Sequence, residues 1–111
     1  MHCEYFVNEN GIDYDFGFIC KNGSILCKVN PGLEEVSIKH ISFHKNSTDG
    51  KTLIELVTQK AVEMNYKYLS ALVIGDSKLV NLYKREGFEV ISEMIYLYDK
   101  ENKTRNLKKR L

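Results

Sequence analysis

The spacing of apolar residues changes near the middle of the chain. Before residue 45 apolar and polar residues alternate, as in the run from Tyr14 to Cys20, and this period of two is typical of half-buried strands. From Lys51 to Met64 apolar residues recur every three or four positions, which predicts an amphipathic helix. A chain of 111 residues can bury one core only. We therefore predict one α/β (α+β) domain, with a single mixed, mostly antiparallel sheet flanked by two helices.

Turn and cap residues set the predicted limits of the elements. Asn22-Gly23 supplies the positive φ angles of a hairpin turn, and Gly87 suits a helix C-cap. We predict strands at 5–7, 13–20, 24–29 and 35–44, a helix at 51–64, a strand at 68–74, a second helix capped by Asp76 or Ser77, and a strand at 88–98. Residues 1–99 should form the domain and 100–111 a basic, solvated tail.

The strand at 35–44 has apolar residues on both faces of its later half, so we expect it to lie inside the sheet. If side chains alternate strictly along this strand, one face carries Val36, Ile38, His40 and Ser42. The other face then carries Ile41 and Phe43.

Charge and cysteine content exclude several classes of protein. The 16 basic and 15 acidic residues nearly cancel, so no nucleic-acid partner is expected. No apolar run reaches membrane-spanning length, and the N-terminus lacks a signal peptide, so a cytoplasmic protein with no membrane partner is expected. The cysteines lack metal-ligand spacing, and no metal is expected. We interpret Cys3, Cys20 and Cys27 as reduced core residues, the alternative being a redox pair between Cys20 and Cys27.

Two segments carry candidate chemistry. One runs from His44 through Gly50-Lys51-Thr52 into the first helix, where free backbone N–H groups favour a phosphate. The other is residues 82–88, where the second helix ends and a strand begins. Gly50-Lys51-Thr52 is reminiscent of a nucleotide-binding P-loop, but that motif requires glycine at the position of Lys45.

The second segment, Leu82-Tyr83-Lys84-Arg85-Glu86-Gly87-Phe88-Glu89, closely resembles the LYxxxGFE signature of the GNAT N-acetyltransferase family. The order of elements over residues 33–98 is also similar to that family. The resemblance implies a GNAT-like fold, acetyl-CoA as cofactor, and transfer of an acetyl group to an amine of a small molecule or a protein.

The resemblance also implies roles for individual residues. The backbone of Ile41, Ser42 and Phe43 would bind pantetheine and polarise the acetyl carbonyl. The turn formed by Ser47, Thr48, Asp49, Gly50, Lys51 and Thr52 would hold the pyrophosphate, while Asp76 and Leu79 would line the cofactor. Tyr83 would protonate the departing thiolate, since a tyrosine arrives protonated at neutral pH.

The sequence departs from the family pattern at three places. Thr52 replaces the second glycine of the turn, and Ser47 replaces a basic or amide residue. The two helices that usually precede this region are not predicted, so the acceptor groove is open or a second subunit of a homodimer completes it. The base that deprotonates the amine is not fixed: His40 is the first candidate, with Glu34 and Glu35 as alternatives.

These departures leave alternatives to an enzyme. The domain could be a catalytically inactive GNAT-like module for binding or oligomerisation, or a sensor of acyl-CoA. Cofactor affinity separates the interaction module from the other two hypotheses, and turnover separates the enzyme from the sensor.

Overall fold

The computed structural model describes residues 2–45, 47–96 and 99–111. Its sheet is built from seven strands in the order β1-β2-β3-β4-β5-β7-β6, and only the β4–β5 pair is parallel. The elements in chain order are β1 (Cys3–Val7), β2 (Phe16–Cys20), β3 (Gly23–Asn30), β4 (Glu35–Phe43), α1 (Asp49–Glu63), β5 (Tyr68–Ile74), α2 (Ser77–Arg85), β6 (Glu89–Tyr96) and β7 (Asp99–Arg110). The predicted fold class, one mixed, mostly antiparallel sheet with two helices, is confirmed.

Both helices pack against the same buried cluster. Leu53, Val57 and Ala61 of α1 and Val80 of α2 are buried with side chains from β2 to β5 and from β7. Because βαβ crossovers are right-handed, α1 and α2 lie on one face of the sheet. The other face carries exposed apolar residues, among them Ile19 (51% exposed) and Ile74 (65%). We call it the open face.

The described residues before Asp49 form strands, turns and a single 3-10 turn at Pro31–Leu33. This agrees with the expectation that no helix precedes residue 50. No helix in the described part of the chain is both long enough and apolar enough to cross a membrane.

A bulge in β4 corrects the predicted faces of this strand. Leu26 of β3 lies opposite His40, but the next residue, Cys27, lies opposite Ile38, so Lys39 is an extra residue. The side-chain alternation is therefore reversed beyond Lys39: Ile41 packs against the same core as Ile38. His40 and Ser42 face the open side instead, and the predicted grouping with Val36 and Ile38 was wrong. The prediction that β4 lies inside the sheet is correct.

The basic segment predicted as a tail is strand β7. It lies between β5 and β6, pairing with Tyr68–Ile74 on one side and with β6 on the other. Opposite charges on adjacent strands and burial of long side-chain stems allow this polar sequence to occupy an interior position. Arg105 Nε donates to Glu93 at 3.1 Å, while Lys108 Nζ lies 3.9 Å from Glu35 and 4.4 Å from the centre of the Tyr68 ring. A domain limit at residue 99 would therefore cut the sheet. The predicted end of the preceding strand, Tyr98, lies outside the described residues.

The cysteines also differ from the prediction. Cys3 of β1 and Cys20 of β2 lie directly opposite each other and form a disulfide, whereas Cys27 is free and buried. The interpretation of three reduced cysteines was wrong for this pair, and so was the alternative pairing of Cys20 with Cys27. The disulfide ties the edge strand β1 to the end of β2, next to the β2–β3 turn.

Candidate functional site

A cleft opens where β4 and β5 separate. The two strands pair only from Glu35–Ile38 to Tyr68–Ala71. Beyond this region β4 continues to Phe43 along β3, and β5 continues to Ile74 along β7. In the described residues, the β4 edge from Lys39 to Phe43 thus has no partner strand on its β5 side. Backbone N–H and C=O groups on such an edge can form hydrogen bonds to an extended ligand.

The start of α1 follows the end of this edge. Ser47 Oγ donates to the His44 carbonyl oxygen at 2.7 Å and accepts the Asp49 N–H at 3.3 Å, which closes the turn. Thr48 is the N-cap and makes no side-chain cap hydrogen bond. The N–H groups of Gly50 and Lys51 have no intrahelical acceptors, because the first N–H groups of any α-helix lack them. N–H groups of this kind, at the positive end of the helix dipole, are able to bind an anion.

Thr52 is committed to the helix itself. Its hydroxyl donates to the Thr48 carbonyl oxygen at 3.2 Å, and its N–H donates to the same oxygen at 3.1 Å. The hydroxyl therefore completes the first turn of α1. Lys51 is exposed and lies 3.9 Å from Glu55, a loose contact that leaves its ammonium able to meet an anion.

Gly50, in the first of the two candidate segments, packs closely against Leu82 of the second. A Cβ atom at this position would lie 2.8 Å from Leu82 Cδ2 and 2.9 Å from Phe43 Cζ. The absence of a side chain lets the first turn of α1 pack closely against both α2 and the end of β4. The packing gives Gly50 a structural role in addition to the expected approach to phosphate.

Tyr83 lies in the core on the inner side of α2. It is 1% exposed, and its ring centre is 5.0 Å from that of Phe88. Burial, and secondarily the nearby Cys27, raise the pKa of the Tyr83 hydroxyl above its ordinary value, so it is protonated at neutral pH. Burial also raises the pKa of the Cys27 thiol, which stays protonated and is a poor nucleophile.

Asp76 and Leu79 lie at the start of α2. The Asp76 carboxylate accepts the Leu79 N–H at 3.0 Å, so Asp76 is the N-cap, one of the two predicted possibilities. Leu79 is partly buried against the core. Both residues follow the end of β5 and thus border the cleft on the side facing β4.

The candidate bases lie at opposite ends of β4. His40 is exposed, next to the bulge and on the open face. Glu34 and Glu35 are at the start of the strand, roughly 25 Å from Phe43 at about 3.3 Å per residue. They pair with Lys67 at 3.0 Å and with Lys108 at 3.9 Å. Both glutamates lie on the part of β4 that is paired with β5 or directly before it, roughly 13 Å or more from Lys39, where the strands separate, so His40 is the nearer candidate.

The sequence analysis did not identify a cavity beside the strand end. It has a volume of about 520 Å³ and is lined by residues 19–24 of the β2–β3 hairpin and 42–44 at the end of β4. The Asn22-Gly23 signal located the turn to within one residue, since Gly23 already pairs with Cys20 and the turn residues are Lys21 and Asn22. The predicted positive φ angles at Asn22 and Gly23 were wrong. The proximity of the turn to Ser42 depends on the β3–β4 register. Among the described residues, no group of three or more His, Cys, Asp or Glu is placed to hold a metal ion.

Comparison with known proteins establishes what this architecture resembles. No protein-family model matches the sequence, and no curated protein matches it. Among solved structures, IAA acetyltransferase from Bacillus cereus ATCC 14579 is similar over 99% of both chains, with a TM-score of 0.81 and 14% identity. Nourseothricin acetyltransferase is similar over 86% of this chain, with a TM-score of 0.73 and 18% identity, and this chain spans 63% of its length.

A further similar structure is a Bacillus subtilis acetyltransferase in complex with CoA. The similarity covers 86% of this chain and 75% of the Bacillus subtilis chain, with 13% identity and a TM-score of 0.71. A GCN5-related N-acetyltransferase from Kribbella flavida is also similar, with a TM-score of 0.71. Likeness at these identities establishes the fold, as the LYxxxGFE resemblance predicted: the chain has the fold of the GNAT acetyltransferases.

Proposed function

We propose that this chain is a member of the GNAT family that transfers an acetyl group from acetyl-CoA to an amine. The observation that carries the proposal is the separation of β4 from β5 directly before the start of α1. It combines a free strand edge with a helix N-terminus, at one end of a cleft bordered by Asp76. The solved structure of the similar Bacillus subtilis protein contains CoA, which supports the choice of cofactor class.

The start of α1 suits the pyrophosphate of the cofactor. Free N–H groups at Gly50 and Lys51 and the dipole of a 15-residue helix favour an anion there. Lys51 adds a mobile positive charge, while Asp49 in the same turn opposes it. The β4 edge beyond Lys39 supplies backbone groups to the pantetheine arm, and its N–H groups would stabilise the developing oxyanion.

Acetyl-CoA supplies an activated thioester, and the chain supplies the proton transfers. As the amine forms its C–N bond and the C–S bond breaks, Tyr83 would donate its hydroxyl proton to the departing sulfur. His40, exposed beside the bulge, would accept the proton that the amine loses, directly or through water. Cofactor binding must open the packing around Tyr83 for its hydroxyl to reach the sulfur, because the side chain is 1% exposed.

The same burial favours a second candidate function. If Tyr83 stays in the core when acyl-CoA binds, the domain would bind the cofactor without turning it over and would act as a sensor of acyl-CoA. This candidate shares the binding site of the first and differs only in turnover.

Calorimetric titration with acetyl-CoA, with free CoA as comparison, tests the binding site. We expect saturable binding in the micromolar range. Lys51→Glu should weaken it several-fold by reversing a charge beside the phosphates, and Lys84→Glu, an exposed change at the far end of α2, should not. Absence of binding at millimolar cofactor would refute both candidate functions and leave an interaction module.

Turnover then separates the enzyme from the sensor. Release of free CoA in the presence of a panel of amines and peptides should exceed release by the cofactor alone. Binding without any acceptor-dependent release, across small amines and protein substrates, would favour the sensor.

The proposal includes a cytoplasmic location. The Cys3–Cys20 disulfide argues against it, since cytosolic thiols are normally kept reduced. Thiol labelling of the protein in acid-quenched cells measures which state is present. The proposal also includes a homodimer, in which the second subunit would supply a wall to the acceptor groove. Light scattering at several protein concentrations tests for this dimer.

A further inference from the structure

We propose that the acetyl acceptor is an amine that also carries a carboxylate, and that the cavity beside the β2–β3 turn binds this carboxylate through Lys21. The inference rests on the proposed acetyl transfer, and it names the class of acceptor.

Part of the cavity lining is on the face where an acceptor would approach. Ile19, Ser24 and Ser42 are directly opposite one another on β2, β3 and β4, so they share a face. Leu26 and His40 form the neighbouring row on that face. It is the open face, because Ile25 and Ile41, on the opposite side of the same strands, pack in the helix-covered core. These three lining residues are therefore on the same side of the sheet as the candidate base His40. The rest of the lining includes Cys20, Gly23 and Phe43 of the helix-covered side, so the cavity lies at the strand ends and is open to both faces.

The charge of the cavity suits a carboxylate. Its lining, residues 19–24 and 42–44, includes the basic residues Lys21 and His44 and no acidic residue. Asn22, Ser24 and Ser42 add neutral hydrogen-bonding groups. None of the ion pairs among the described residues involves Lys21, which is exposed. One lysine ammonium balances one carboxylate, whereas a phosphate dianion would be left half neutralised.

The geometry fixes the distance between the two groups of the acceptor. From the β2–β3 turn to the free edge of β4 is about two strand spacings, roughly 10 Å. The Lys21 side chain can cover part of this distance, so the reacting nitrogen and the carboxylate should be roughly 5–10 Å apart. This separation excludes the α-amino group of an ordinary amino acid. It fits the terminal amine of an ω-amino acid, a lysine-like side chain amine or the N-terminus of a short peptide.

Matched acceptors test the inference. The rate of CoA release, as kcat/KM, is measured with 6-aminohexanoate and with its uncharged amide, 6-aminohexanamide. We expect the carboxylate to be preferred at least roughly threefold, the effect of one partly solvated ion pair with neutral hydrogen bonds. Lys21→Met should remove the preference by lowering the rate for the carboxylate only, Lys21→Arg should keep part of it, and Lys84→Met should leave it unchanged. Equal rates for the two acceptors in the native chain would overturn the inference, as would equal losses for both in Lys21→Met.

Direct binding separates this inference from the proposed function. The amide resonances of residues 19–24 are followed by NMR during titration of the native chain with each compound. Carboxylate-dependent shifts that Lys21→Met abolishes would support the carboxylate site even if no acetyl transfer occurred, and the proposed function, with the role of the bound amine as acceptor, would then fail. Shifts that are absent, or the same for both compounds, would overturn the inference whether or not the chain is an enzyme.

Discussion

Removing the Cys3–Cys20 disulfide should destabilise the domain by an amount that follows from the length of the loop that the disulfide closes. The two cysteines are 17 residues apart in the sequence. In the chain-entropy account, freeing a loop of this length in the unfolded state costs about 3 kcal/mol of folding stability at 25 °C. For 111 residues, with an unfolding entropy of about 2.1 cal/mol/K per residue, that amounts to a fall of roughly 13 °C in Tm.

The assay compares the native chain with the double variant Cys3→Ser/Cys20→Ser, by thermal and urea unfolding, each with and without a strong reductant. Reductant should lower the stability of the native chain to that of the variant and should not change the variant. Ellman titration of the denatured, unreduced native chain should count the Cys27 thiol only. A native chain that shows all its cysteines as free thiols, or whose midpoint is unchanged by reductant, would refute the reasoning.

Three further changes have defined outcomes. Tyr83→Phe should lower acetyl-transfer turnover by about 10²-fold or more and leave acetyl-CoA affinity unchanged, as measured by steady-state kinetics and calorimetry; unchanged turnover would remove the acid role. Folding raises the pKa of Tyr83 above its ordinary value of 10, so above pH 10 this hydroxyl loses its proton in the unfolded state only. The contribution of Tyr83 to the free energy of unfolding is therefore constant below pH 10 and falls above pH 10 by up to about 1.4 kcal/mol per pH unit. Urea unfolding at pH 9 to 11 should show this fall and a smaller one in Tyr83→Phe; the same slope in both would contradict it. Gly17→Ala should cost about 2 kcal/mol or more, since its Cβ would lie 2.4 Å from the Ile25 carbonyl oxygen, whereas Gly32→Ala, whose nearest atom lies at 3.6 Å, is the matched control and should have little effect.

The elements with local signals were predictable from sequence. β5 is observed at the predicted residues, 68–74, and α1 begins at Asp49 and ends at Glu63, close to the predicted 51–64. Their periodicity is determined by each segment alone, because the core face of a helix or a buried strand shows in its own apolar residues. The end of α2 was likewise predictable. The helix ends at Arg85, and Gly87, two residues later, has a φ of 94°, a conformation that glycine adopts readily.

The errors concern pairing between distant segments. The bulge at Lys39 is defined by the offset between β3 and β4, and no residue type signals it. β7 is interior in spite of its charges: Leu107 and Thr104 are buried on the core side, and Glu93 and Glu35, from other strands, pair with three of its basic residues, Lys103, Arg105 and Lys108. Isolated from these partners, its sequence has the composition of a solvated tail.

The same distinction applies to the candidate site. The LYxxxGFE resemblance located Tyr83, but its burial follows from packing against Phe88 and the core. The turn from Ser47 to Thr52 was expected to hold the pyrophosphate through backbone N–H groups, and this stays a prediction. The structure adds that the Ser47 hydroxyl closes this turn. Side-chain types therefore led to a candidate site, and the hydrogen bonds of the described residues show which of its groups are already used within the fold.

The arrangement of the core explains how the described residues can form the candidate site although those before Asp49 form no α-helix. The cleft needs the β4 edge and the start of α1, and both are fixed by packing on the helix-covered face, through Gly50 against Phe43 and Leu82. The open face adds nothing to that packing, so its side chains can vary without moving the cleft. The groups that would bind acetyl-CoA are therefore structurally separate from the side chains of Lys21 and Ser24, which would select the acceptor. It follows that exchanges among these open-face residues should change which amine is used more than they change stability or cofactor affinity.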